Sequence, residues 1–142
     1  MPQLLKYDEA FIPCHVAEGD ELFRNGIFVF NISKLIGYLE GECSDIAVTE
    51  VDVDDYPREF SSINESHVNT VSLNQPMIVA EISPGRYNLI DGNHRAERAR
   101  RTGMRKLPCY RLNVTEHLPF LTSKRAYDAY VEYWNGKARS MS

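Results

Sequence analysis

The chain has 142 residues, 43% of them hydrophobic and 25% charged, with a net charge of −4, a mixture ordinary for one globular domain with a real core. No apolar run approaches the roughly 18–20 residues needed to span a membrane, and the first ten residues carry Lys6, Asp8 and Glu9 in place of a signal-peptide core. Cys14, Cys43 and Cys109 are odd in number and widely spaced, so they suggest neither a disulfide framework nor a zinc site, and a reducing cytoplasm is the expected compartment.

Residues 1–44 read as an N-terminal extension that packs on the main unit, since about 40 residues rarely fold alone. Within it residues 26–30 make a short apolar strand. Ile32, Leu35, Ile36 and Leu39 then recur at helical spacing, with Asn31 or Ser33 as cap and Gly41 as stop. Residues 46–53 read as a strand, broken by Asp54-Asp55-Tyr56-Pro57. Ser62 and Glu65 have capping-box spacing and open a short helix to about residue 71. Pro76 precedes a strand at 77–82, Ser83-Pro84-Gly85 makes a turn, and a strand returns over 86–90. A helix over 94–102 buries Ala96 and Ala99, which lets it lie close to a sheet, and stops at Gly103. In the next strand, 107–112, Pro108 points to an edge or a first-residue position. The last helix runs over 120–134, with Ala126, Tyr127, Tyr130, Val131 and Trp134 as a core stripe and Gly136 as its terminator. No internal repeat, linker or low-complexity segment interrupts this order.

Charge is unevenly distributed. Residues 1–60 hold four Lys/Arg against thirteen Asp/Glu, whereas residues 95–111 hold seven cations (Arg95, Arg98, Arg100, Arg101, Arg105, Lys106 and Arg111) against Glu97. The acidic front half disfavours nonspecific DNA binding, and the basic segment favours a local phosphate partner. For Arg100, Arg101 and Arg105 a solvated face paired with the acidic half is an equal alternative.

The segment that speaks about function is 89–112. A strand runs into Asp91-Gly92-Asn93-His94-Arg95, which opens a helix rich in arginine and small residues. A glycine, an Asn cap and a first-turn Arg at a helix start form an anion site, because the first N–H groups of a helix lack internal partners and sit at the positive end of its dipole. Arg95 adds a bidentate grip on phosphate, and Arg98 is placed with the phosphate-binding group.

The order strand, helix, strand, turn, strand, Asp-Gly-Asn-His-Arg, helix, Gly, strand with Pro resembles the ParB/sulfiredoxin superfamily. The resemblance rests on Asp91 to Arg95, Ala96 and Ala99, Gly103 and Leu107-Pro108; it is specific over 86–112 and loose upstream to about residue 46. It implies an α+β fold, a small mixed sheet with packed helices. The single domain would comprise the extension at 1–44, a ParB-like core at 45–113 and a C-terminal helix at 114–142. It further implies a nucleotide (ATP, ADP or CTP) held by Gly92, Asn93, His94, Arg95 and Arg98, with Asp91 and His94 in catalytic roles and Asp91 holding Mg²⁺. Members range from CTP-binding partition proteins and nuclease-like proteins to sulfinic acid reductases and free serine kinases. Asn93 stands where the reductases carry cysteine, which removes the attacking thiolate and excludes that activity. About 30 residues after the core leave no room for a helix-turn-helix reader, which argues against chromosome partitioning by this chain alone.

Three function classes follow. The first is a nucleotide- or phosphate-binding domain with NTP-dependent phosphotransfer or hydrolysis, its general base drawn from Glu50, Glu65, Glu81 or His67. The second is a ParB-like nuclease or DNA-binding protein, with nucleic acid as partner. The third is a non-enzymatic regulator, for which Tyr127, Tyr130, Tyr133 and Trp134 offer a homodimer or partner surface; tyrosines lying over the core with wet hydroxyls are the bland alternative. No membrane partner is expected.

Overall fold

The computed structural model describes residues 3–26, 28–42, 44–56, 64–68 and 70–141, with the His67 side chain excepted. Cys43, Pro57 and the Ser62 cap lie outside the described residues. The chain is α+β. In order it forms β1 (Leu22–Asn25), β2 (Phe28–Asn31), α1 (Ile32–Glu40), β3 (Val48–Asp52), α2 (Glu65–Val68), β4 (Met77–Ser83), β5 (Arg86–Asp91), α3 (Asn93–Arg101), β6 (Lys106–Leu112), α4 (Val114–His117) and α5 (Lys124–Ser140). β1 and β2 pair antiparallel as a two-stranded sheet. The second sheet has the order β3-β6-β4-β5, with β3–β6 antiparallel and β4–β6 parallel, so it is mixed.

The chain divides into two compact units, one of residues 1–45, 81–87 and 113–142, the other of 46–80 and 88–112. In the first, the N-terminal segment and α5 pack together. Phe11 stacks on Tyr127 with ring centroids 4.0 Å apart, Trp134 Nε1 donates to the Gln3 carbonyl at 3.0 Å, and the Asn135 amide exchanges hydrogen bonds with both backbone groups of Leu5. Tyr127, Tyr130, Val131 and Trp134 are buried, as a core stripe requires. The same stripe continues to the fully buried Ala138, and this carries the helix through Gly136, which does not end it. Burial of Ala138 outweighs the roughly 1 kcal/mol that glycine costs inside a helix. The helix also begins later than residue 120, because residues 118–120 form a 3₁₀ turn around Pro119 and Ser123 caps α5 by accepting the Ala126 N–H.

α1 is capped by Asn31, which accepts the Lys34 N–H and donates to the His15 carbonyl and Asp20. Asp20 is held below the usual carboxylate range chiefly by that Asn31 bond. β1 was absent from the expected elements, although Asn25-Gly26 before an apolar run is a hairpin signal and Gly26 takes φ +62°.

In the second unit, Met77, Ile78, Val79 and Ala80 of β4 and Leu107, Cys109 and Leu112 of β6 are buried to 2% exposure or less. Ala96 and Ala99 of α3 are fully buried, the close helix approach their size predicts. α3 ends in a Schellman motif: Met104 N–H bonds the Ala99 carbonyl, Gly103 N–H the Arg100 carbonyl, and Gly103 takes φ +78°. Pro108 corrects an expectation. β6 is a central strand, not an edge, and Pro108 is its third residue. The pairing with β4 starts only at Cys109, opposite Met77, so the missing proline N–H precedes that ladder.

Candidate functional site

β5 ends at Asp91, and Gly92 turns the chain into α3 with φ +106°. Only glycine tolerates this position. Beyond the left-handed backbone, a Cβ would sit 2.8 Å from Arg95 Nη1 and 2.8 Å from Met77 Cγ. Gly92, not Asn93, is the N-cap; its carbonyl takes the Ala96 N–H, and Asn93 is the first helical residue. Among the described residues the helix therefore opens without a side-chain capping bond at the positive end of its dipole. Asn93 and His94 are half-buried at this end, and among the described residues none bonds the Asn93 side chain.

Arg95 lies beneath. It is 9% exposed; Nη1 donates to the Pro76 carbonyl at 3.2 Å and Nη2 lies 3.7 Å from the Asp91 carboxylate. Its Nε is buried without a hydrogen-bond partner among the described residues. Asp91 and Arg95 are thus brought together as an ion pair under the helix start, and a cation at Asp91 would share that carboxylate with Arg95. His94 Nε2 accepts the Asn64 backbone N–H at 3.1 Å, so in this arrangement Nε2 carries no proton.

The other arginines are engaged. Arg98 Nη1 donates to the Val71 carbonyl. Arg100 bridges the Val53 and Tyr56 carbonyls at 3.0 and 2.7 Å and reaches Glu97. Arg101 makes a two-bond pair with Glu65, at 2.6 and 3.0 Å, and a bond to Glu97. Arg105 pairs with Asp52 and Asp54. Only Arg105 pairs with carboxylates of the acidic front half; Arg100 and Arg101 take Glu97, Glu65 and backbone carbonyls instead.

Of the candidate bases, Glu65 faces Arg101, and Glu50 is exposed on β3. Both Glu81 oxygens are occupied, by the Val114 and Gly85 N–H groups. The His67 side chain lies outside the described residues. No group of three or more His, Cys, Asp or Glu able to hold a metal occurs among the described residues. Two contributors escaped the sequence reading, the Asn64 N–H and the Pro76 carbonyl; both act through backbone atoms, which no residue pattern reveals. No helix among the described residues is long and apolar enough to cross a membrane.

Compared with models of known protein families and with curated proteins, the chain matches none.

Proposed function

We propose that the β5–α3 junction binds a phosphate-bearing ligand, a nucleotide in the first instance, and that the 46–113 region is ParB/sulfiredoxin-like. The observation that carries this reading is the opening of α3: a left-handed glycine as N-cap and, among the described residues, no side-chain cap and no partner for the Nε of a buried guanidinium beneath it. Helix N–H groups and dipole supply the anion site, and Gly92 supplies the left-handed turn that opens it. Asn93 and His94 would face the ligand. Arg95, held by Pro76 and Asp91, acts as a fixed positive charge under the site and not as a mobile clamp. Asp91 would supply the carboxylate for Mg²⁺, an ion that keeps waters and shares phosphate oxygens. Phosphotransfer or hydrolysis on this frame would be mostly positioning and charge stabilisation.

For the nucleic-acid reading, Arg100, Arg101 and Arg105 would have to exchange their present carboxylate and carbonyl partners for phosphates. The test is thermal stabilisation by ATP, ADP, CTP, GTP and inorganic phosphate, each with and without Mg²⁺. A ligand bound by the native state raises stability by RT ln(1 + [L]/Kd). A selective shift supports the reading, and its absence with every probe removes it.

A further inference from the structure

Residues 3–11 lie as an arm along α5 and run antiparallel to it. Trp134 Nε1 donates to the Gln3 carbonyl at 3.0 Å, the Asn135 amide exchanges hydrogen bonds with both backbone groups of Leu5, and the Tyr127 hydroxyl accepts the Asp8 N–H at 2.8 Å. From Tyr127 to Asn135 is about 12 Å along the helix, and an extended chain from Leu5 to Asp8 spans about 10 Å, so the hooks match a stretched peptide. All three hold main-chain atoms; beside them the Phe11 ring stacks on Tyr127 and the Tyr7 hydroxyl donates to Asp128. None of residues 3–19 is buried, so neither the arm nor its tether, residues 12–19, is locked into the core. The tether is held by the Cys14 N–H on the Leu121 carbonyl and by the Asn31 amide on the His15 carbonyl, and it ends in a turn at 17–20 with Gly19 at φ +87°. Leu4, Tyr7, Ile12 and Val16 are 40%, 43%, 82% and 40% exposed, four of the nine exposed large apolar side chains among the described residues. Docked on its own α5, the arm thus turns an apolar edge to solvent.

We propose that this face of α5 takes the arm of a second copy, in a two-fold dimer made by reciprocal exchange of residues 3–11. The second copy's arm satisfies the same hooks, so exchange costs no contact at α5. Opening the tether breaks its turn and its two backbone contacts. In return the two tethers pass each other at the two-fold axis, where the Ile12 and Val16 side chains of the two copies cover one another. Within one chain the arm competes for its own α5 at an effective concentration on the order of 1 mM, so exchange is strongest where the chain's own arm or its own hooks are weakened.

The experiment mixes two full-chain variants. Leu5→Pro with Phe11→Ala has a defective arm and intact hooks, since proline lacks the N–H that Asn135 accepts. Trp134→Phe with Asn135→Ala has an intact arm and defective hooks. Trp134 is the one tryptophan of the chain, so all indole fluorescence in the mixture comes from the first variant. Alone, that variant should be a monomer with Trp134 open to acrylamide quenching. Mixed in equal amounts, the pair should form a heterodimer by light scattering, and Trp134 should regain its wild-type shielding. A mixture that stays monomeric refutes exchange. A heterodimer with Trp134 still open places the contact elsewhere and refutes it too, and full shielding in the first variant alone refutes the arm as the cover of Trp134. Wild type supplies a reading that needs no variant to fold: its dimer fraction should rise between about 10 μM and about 1 mM chain, and a monomer throughout refutes the proposal.

Discussion

Replacing Asn93 by Asp puts a carboxylate on the first residue of α3, where among the described residues no side chain caps the helix. The same charge should then act in opposite senses on two measurements. Against the helix dipole it stabilises the fold by about 0.3–1 kcal/mol. For a chain of 142 residues that raises the melting temperature by roughly 1–4 °C. Against a phosphate at the helix start it repels: at about 5 Å and an effective dielectric of about 20–40, each unit charge costs on the order of 1.5–3 kcal/mol. Nucleotide affinity should fall by more than about tenfold. Among the described residues none bonds the Asn93 side chain, and Asn and Asp are nearly isosteric, so loss of binding would not reflect loss of fold. Thermal denaturation without ligand and isothermal titration with ATP read the two effects separately. Unchanged affinity in Asn93→Asp would place the ligand away from α3 and refute the argument; a fall in stability would refute the account of the uncapped helix end.

Gly92→Ala tests the junction itself. Left-handed backbone strain and a Cβ pressed against Met77 and Arg95 should cost about 2–5 kcal/mol in urea unfolding, and a loss below about 1 kcal/mol would contradict the geometry. The first unit makes a separate prediction for pH. Its His117 is fully buried, with Nε2 at 2.6 Å from the Glu81 carbonyl and 3.2 Å from the Tyr130 hydroxyl, and burial pushes its pKa down from 6.5 to about 4. Between those values the unfolded chain binds the extra proton and the folded chain does not. The contribution is therefore complete above pH 6.5 and is lost as pH falls through 4, by about 3 kcal/mol in all. Unfolding at several pH values should show that slope in wild type and a flatter one in His117→Gln, and equal slopes would refute the assignment.

Local conformation was legible wherever one side chain or one special residue decides it. Asn31 caps α1, Gly103 closes α3, Pro84-Gly85 turns β4 into β5, and Ala96 with Ala99 marks the buried face of α3. Two of the failures share a cause, which is that packing overrode a local rule. Pro108 sits in a central strand because the neighbouring ladder begins one residue later, and Gly136 stays helical because Ala138 is buried beyond it. At the candidate site the Asp-Gly-Asn-His-Arg string and its place at a helix start were readable. What the arginines do was not, since Arg98 and Arg100 bind backbone carbonyls 27 and 44–47 residues away. Composition records the charge on such a helix but not whether it points to a ligand or to its own chain.

The packing of the N-terminal segment on α5 sets an order of events during synthesis. Leu5 and Asn135, which exchange hydrogen bonds, are 130 residues apart. At ordinary elongation rates Leu5 waits roughly 6–26 s on the ribosome before its partner has been made. For most of that interval Phe11 has no Tyr127 to stack on, and the first unit cannot close.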